Sequence, residues 1–180
     1  NSGTSMTTGV QNTLLGTQSG DALTDADFNV AVGHVALSLD TLGSKTTAIG
    51  LGALQNQNFG TATDTHNVAV GYLAGANVTS GIQNTLIGGL AGDGLTDADL
   101  NVAVGIAALT TDTLGSRSVA IGASALETQN FTTATNSYNV AVGQNAGTSV
   151  TTGIYVCKRC KQPTGTGSDL WLHGNYRQDA

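Results

Sequence analysis

The pentapeptide NVAVG occurs four times without a changed letter: as Asn29-Val30-Ala31-Val32-Gly33, Asn67-Val68-Ala69-Val70-Gly71, Asn101-Val102-Ala103-Val104-Gly105 and Asn139-Val140-Ala141-Val142-Gly143. Its alternation is that of a β-strand, in which successive side chains point to opposite faces. One face therefore carries the valines and the other carries Asn, Ala and Gly. Loosened to the general form N-x-A-x-G, with Ala or Ser after two intervening residues, the motif closes on Gly16, Gly33, Gly50, Gly71, Gly88, Gly105, Gly122 and Gly143. The steps between these glycines are 17, 17, 21, 17, 17, 17 and 21 residues.

A longer repeat contains the shorter one. Residues 9–80 align without gaps on 81–152, with about 45 of the 72 positions identical, so each long repeat is four short units, the fourth enlarged by four residues. A unit of 17 residues reaches at most ~56 Å when extended, enough for two short strands with turns and too little for a helical hairpin. One turn of a β-solenoid fits this length, and internal repetition is the sequence mark of such stacked architectures. The pattern predicts an all-β fold, a left-handed parallel β-roll of 17- and 21-residue coils. A second, weaker strand is expected over stretches such as GHVALS and GASALE, and the segments rich in Gly, Thr, Asn and Asp read as turns.

The valine and isoleucine face is expected to fill the interior of each coil. The Asn, Ala and Gly face is then expected to meet something that approaches closely, most simply an identical chain. A narrow coil buries too little surface to stand easily alone, which favours association and, among closed arrangements, a parallel homotrimer.

Composition agrees with a fold built from small regular contacts. The 180 residues include 25 Gly and one Pro, with 39% hydrophobic, 4% aromatic and 10% charged residues. The net charge is −6, and Lys45 and Arg117 are the only basic residues before position 158. Nucleic acid and anionic membranes are poor partners for such a surface, and no apolar run approaches a membrane span.

The repeated N-V-A-V-G-x-x-A and S-V-A-I-G-x-x-A, as in SVAIGASA at 118–125, resemble the head repeats of YadA-like trimeric autotransporter adhesins and the related repeats of phage tail fibre proteins. The resemblance covers roughly residues 9–150. It implies a left-handed parallel β-roll, three chains around one axis, and a role in a surface-attachment fibre. The coils of that family's heads are shorter than those here, so the extra residues are expected either to decorate the outside of the roll or to change its cross-section.

The repeat region is read as 1–153, opening in mid-coil as part of a longer chain. Residues 154–180 form a separate small segment in which YVCKRC replaces the expected QNTLIG. That segment offers Cys157 and Cys160 in a Cys-x-x-Cys pair, then His173. Such a pair is half of a common structural zinc site, and these three residues are the candidate ligands; free thiols or a redox pair are the alternatives. Asp21, Asp25 and Asp27, repeated as Asp93, Asp97 and Asp99, could offer oxygen to calcium, but the EF-hand spacing is missing and Asx turns explain them as well. The recurrent asparagines read as a stacked hydrogen-bonding ladder. His34 and His66 become Ile106 and Tyr138 in the second long repeat, so no repeated imidazole exists.

No nucleophile elbow, phosphate-cradling loop or HExxH is present. The sequence thus predicts a non-enzymatic structural section of a trimeric virion fibre, exposed on the virion surface and supporting host attachment. Its expected partners are identical chains, other virion proteins and a host cell-surface receptor. The alternatives are the head of a bacterial adhesin on the cell surface, and a monomeric solenoid that binds ice or glycan.

Overall fold

The computed structural model describes residues 1–159. Among these the chain is all β with no helix, a parallel β-solenoid. Its main wall is one nine-stranded parallel sheet made of β1 (Thr13–Leu15), β2 (Val30–Val32), β4 (Thr47–Ile49), β6 (Val68–Val70), β7 (Thr85–Ile87), β8 (Val102–Val104), β10 (Val119–Ile121), β12 (Val140–Val142) and β13 (Cys157–Arg159), in that order. Each coil contributes one strand, so the register follows the repeat: Ala31 lies opposite Ala48, Ala48 opposite Ala69, and Ala103 opposite Ala120. At the usual spacing of ~4.8 Å, nine strands make a wall about 38 Å long.

The two faces of this wall are the reverse of the sequence expectation. Ala31, Ala48, Ala69, Ala103, Ala120 and Ala141 are completely buried, as are Asn29, Asn101 and Asn139. The flanking Val and Ile residues point outward and are half-buried or exposed. The reason is the bore of the coil. Seventeen residues enclose so little volume that leucines from the opposite wall, Leu37, Leu54, Leu109 and Leu126, already fill it; only Ala fits between them. Where the sheet itself supplies a leucine, the opposite wall retreats to glycine. A Cβ on Gly75 or Gly92 would lie 2.6 or 2.7 Å from a methyl of Leu86. Leucines also reach between coils: Leu86 fills the space beside Gly75 of the preceding coil, as a close-packed interior requires.

The closing glycine of each motif also serves a neighbouring coil rather than a neighbouring chain. Gly33 has φ +138°, and a Cβ there would stand 2.4 Å from the carbonyl oxygen of Gly50. Any larger residue would force adjacent coils apart.

The expected second strand over Gly33–Ser38 and Gly122–Glu127 is absent; these stretches are turns. Their backbone alternates in hand, with Val35 and Leu37 both at φ 52° and Ser124 and Leu126 at φ 55° and 50°. A left-handed conformation costs an ordinary residue roughly 1–2 kcal/mol, and here the coil-to-coil ladder holds it in place. Leu37 N–H donates to Ala53 O at 3.0 Å and Leu126 N–H to Ala146 O at 2.9 Å. Strand-like pairing therefore runs around the coil without strand dihedrals.

The enlarged coils bulge outward at three residues each, 60–62 and 132–134, all exposed. Beside them lie two short parallel pairs, β3 (Gly43–Ser44) with β5 (Thr63–Asp64), and β9 (Gly115–Ser116) with β11 (Thr135–Asn136). The coil cross-section is preserved and the insertion decorates its outside.

Backbone pairing outlasts the repeat's letters. β13 pairs in register with β12 although NVAVG is gone, and Val156 N–H donates to Asn139 Oδ1 at 2.8 Å. Main-chain ladders do not read side chains. The apolar filling does stop there, because Lys158 takes the register position of Ala141 and is exposed.

Candidate functional site

Two sets of residues stand apart from simple coil packing: a polar network inside the enlarged coils and an apolar face outside the sheet.

The asparagines that head the strands are interior braces. Asn29 Oδ1 accepts from Thr46 N–H at 2.9 Å, and its Nδ2 donates to Gly43 O at 2.9 Å. Asn67, Asn84 and Asn101 repeat the pattern, with Asn84 N–H donating to Asn67 Oδ1 at 2.9 Å and Asn101 N–H to Asn84 Oδ1 at 3.0 Å. Both ends of each amide bond inside the protein, and the side chains are buried from solvent.

At each enlarged coil this ladder meets a buried carboxylate that the sequence did not single out. Asp40 Oδ1 accepts from the Gly43 and Phe59 amides, each at 3.1 Å, and Oδ2 from Gln57 Nε2 at 2.6 Å. Gln57 in turn reaches Thr46 Oγ1 at 3.0 Å and accepts from Asn67 Nδ2 at 2.8 Å. Asp112, Gln129, Ser118 and Asn139 reproduce the network, with Gln129 Nε2 donating to Asp112 Oδ2 at 2.5 Å and Asn139 Nδ2 to Gln129 Oε1 at 2.7 Å. All these side chains are buried, and among the described residues no buried side-chain polar atom lacks a partner. The network is closed on itself and fixes how the enlarged coil re-enters the regular stack. Its only trace in the sequence is that Asp40, Gly43, Gln57 and Phe59 all return 72 residues later.

The acidic turns lie on the outside and bind the coil before them. Asp21 Oδ1 accepts from Thr4 Oγ1 at 2.5 Å and from Thr4 N–H at 3.2 Å, and these bonds, the side-chain one first, hold its carboxyl below the ordinary value. Asp25 accepts from Thr8 Oγ1 at 2.5 Å, Asp97 from Ser80 Oγ at 2.7 Å, and Asp99 from Ile82 N–H at 2.8 Å. Among the described residues no three His, Cys, Asp or Glu side chains gather closely enough to hold a metal ion. Cys157 is exposed on β13; Cys160 and His173 lie outside the described residues.

A threonine column crosses the coils. Thr7, Thr24, Thr41, Thr79, Thr96 and Thr113 stand in line with Asn58 and Asn130, which take the place in the two enlarged coils. Thr24 Oγ1 donates to Thr41 O at 3.1 Å and Thr96 Oγ1 to Thr113 O at 3.0 Å. These hydroxyl protons are committed to the next coil.

The outward side of the sheet has no such internal use. The first and third residues of β1, β2, β4, β6, β7, β8, β10 and β12 are thirteen Val, Ile or Leu and three Thr. None of the sixteen is charged, on a chain whose net charge is −6. Ile49, Ile87 and Ile121 keep 37%, 39% and 38% of their surface exposed in the single chain. Two mixed columns flank the face. The one before the strand asparagines alternates Phe28, Leu100 and Tyr138 with Lys45, His66, Gln83 and Arg117, and the one after the closing glycines carries Leu51, Tyr72 and Ile106 beside His34 and Gln144. Tyr138 and Tyr155 stack with ring centres 5.2 Å apart, and the Arg117 guanidinium lies 5.8 Å above the Tyr138 ring. Contiguous apolar surface is uncommon on the outside of a folded chain.

Among the described residues the fold is a parallel β-solenoid whose sheet carries an uncharged outward face over eight coils. The chain matches no protein-family model, no curated protein and no solved structure.

Proposed function

We propose that the chain is a structural, non-enzymatic section of a trimeric attachment fibre, in which the outward Val/Ile wall of each solenoid packs around a common axis. The observation that carries this reading is the uncharged sixteen-residue face. It runs over eight successive coils, and a standard stable interface buries about 800 Å² of each partner. Among the described residues the other exposed large hydrophobics, Val10, Leu39 and Ile154, are scattered rather than aligned along the coils. Three such walls meeting around an axis cover one another and leave the acidic turns, which carry six of the chain's twelve acidic residues, facing solvent. The resemblance to adhesin heads and phage tail fibres supports a virion fibre as the setting, with host attachment strengthened by threefold multivalency. Other virion proteins and a host cell-surface receptor are the partners of this reading, and a bacterial cell-surface adhesin is the same architecture in another setting.

The test is a pair of substitutions on the face. Val70→Asp with Val104→Asp places two carboxylates on the proposed interface without touching the coil interior. Sedimentation should show three chains for the unmodified protein and one folded chain for the variant. A variant that keeps the mass of the unmodified assembly would remove this wall as the interface, and an unmodified monomer would return the chain to a solenoid that binds some other extended surface.

A further inference from the structure

We infer that Arg117, held in place by Asn136 and Tyr138, is a binding site for an oxyanion carried on a linear acidic glycan. The site stands out against its own copy. One long repeat earlier the same three positions are Lys45, Asp64 and His66. There the cation is neutralised within the chain, because Lys45 Nζ lies 2.5 Å from Asp64 Oδ2. In the second long repeat the aspartate is replaced by Asn136, whose Oδ1 accepts from Arg117 Nε at 3.1 Å. The guanidinium carbon lies 5.8 Å from the centre of the Tyr138 ring, and Tyr155 backs Tyr138 in turn, with ring centres 5.2 Å apart and planes 8° from parallel.

The amide positions the guanidinium as a carboxylate would, but leaves its charge uncompensated. Among the described residues Arg117 has no carboxylate partner. Asp99 offers its carbonyl to Arg117 N–H at 3.0 Å, while its carboxylate turns to Ile82 N–H in the coil before, at 2.8 Å. With Nε taken by Asn136, the terminal nitrogens keep four N–H donors in one plane, the fork that grips two oxygens of a single carboxylate, sulfate or phosphate. Ordering this side chain beforehand, through the ring and the amide, reduces the entropy lost when an anion binds. On a chain of net charge −6 it is a local reversal of sign.

The column that carries Arg117 suits an extended ligand. From Gln11 to Tyr155, nine successive coils place an exposed residue in the left-handed region at this position, with φ between 51° and 65°. That conformation favours glycine, and another left-handed column of the coil uses it at Gly20, Gly75 and Gly92. This column holds no glycine, although its side chains are exposed, Phe28 by 51% and Tyr155 by 61%. Larger side chains kept at strained, exposed positions serve a contact outside the chain. The line is one residue wide with a step of ~4.8 Å. A folded partner needs a patch of about 800 Å², whereas a linear glycan can follow such a line and set an acid group at Arg117.

The inference does not rest on the number of chains, so binding and sedimentation fail independently. Calorimetric titration of the full chain with an oligogalacturonate, a heparin oligosaccharide and a neutral maltooligosaccharide tests it. At least one acidic probe should bind and the neutral one should not, and the tighter acidic probe tells carboxylate from sulfate. Arg117→Gln should weaken that probe by about fivefold or more, and so should Asn136→Asp, which restores an internal ion pair. Both variants should keep the melting temperature of the unmodified chain. Conversely, Lys45→Arg with Asp64→Asn and His66→Tyr should add one equivalent site per chain. The basic residues from position 158 onward are common to every variant, so the difference between variants reads the site. Affinity untouched by Arg117→Gln, or an unmodified chain that binds neither acidic probe, overturns the site. Equal binding of an oligoglutamate with the same dependence on Arg117 overturns the glycan.

Discussion

The two sides of one three-residue strand teach more about this protein than any other pair of regions. In β8 the middle residue, Ala103, is completely buried, whereas Val102 and Val104 on either side face outward. A larger hydrophobic side chain usually marks the inside. Here the inside is a bore narrow enough that opposite-wall leucines fill it, and the larger residues cover a surface that another chain can bury. Side-chain size is then a measure of the space available on each side, not of direction.

Predictions that would break this comparison can be ordered by expected effect. The greatest belongs to the glycine column. Gly71 has φ +142°, and a Cβ there would lie 2.5 Å from Gly88 O. Gly71→Ala should cost about 3–5 kcal/mol, from strain plus separation of two coils, seen as a large fall in melting temperature by circular dichroism.

Next comes the closed polar network. Asp40→Leu strips partners from the Gly43 and Phe59 amides and from Gln57, so it should destabilise by roughly 2–4 kcal/mol in chemical unfolding. Retained stability would mean that the enlarged coil does not depend on its buried carboxylate.

The pair Ala103→Leu and Val104→Leu sharpens the central contrast with one chemical change on each side of the strand. Overpacking the interior should cost about 1–3 kcal/mol, while the outward substitution should shift single-chain stability by no more than about 0.5 kcal/mol. Equal effects would show that the two sides are not different environments.

The smallest effect is at the first coil. The Asp21 carboxyl is held below its ordinary value by Thr4, so its contribution is complete above the value of the unfolded chain. It is lost as pH falls through the lower folded value. Protection of the Thr4 amide, measured against its intrinsic exchange rate, should fall as pH drops below the ordinary carboxylate range, with the central coils unaffected.

Much of the architecture was legible in the letters, because a fixed step of 17 residues has few structural solutions. The parallel sheet and its register follow from spacing; the ninth strand, β13, lies past the last motif, and spacing left open whether the extra residues decorate the outside or change the cross-section. What spacing does not carry is the bore. The choice between Val inside and Ala inside depended on Leu37, Leu54, Leu109 and Leu126, which approach from the opposite wall and are buried against the alanines; a strand read by itself does not contain them. The same holds for the turn over Gly33–Ser38, where VAL looks like a strand and is held at alternating dihedrals by bonds to the next coil. Asp40 was hidden for a related reason. A lone aspartate in a loop looks like a surface turn until Gln57 and Phe59, 17 and 19 residues on, are seen to enclose it.

The interface reading inherits this reversal: the residues first expected to fill the coil are the ones now offered to a neighbour. The most direct measurement is the native mass of the unmodified chain in solution, by sedimentation equilibrium at micromolar concentration. The account predicts three times the 18.0 kDa of one chain. A homogeneous species at 18.0 kDa, with the uncharged wall open to solvent, would contradict it.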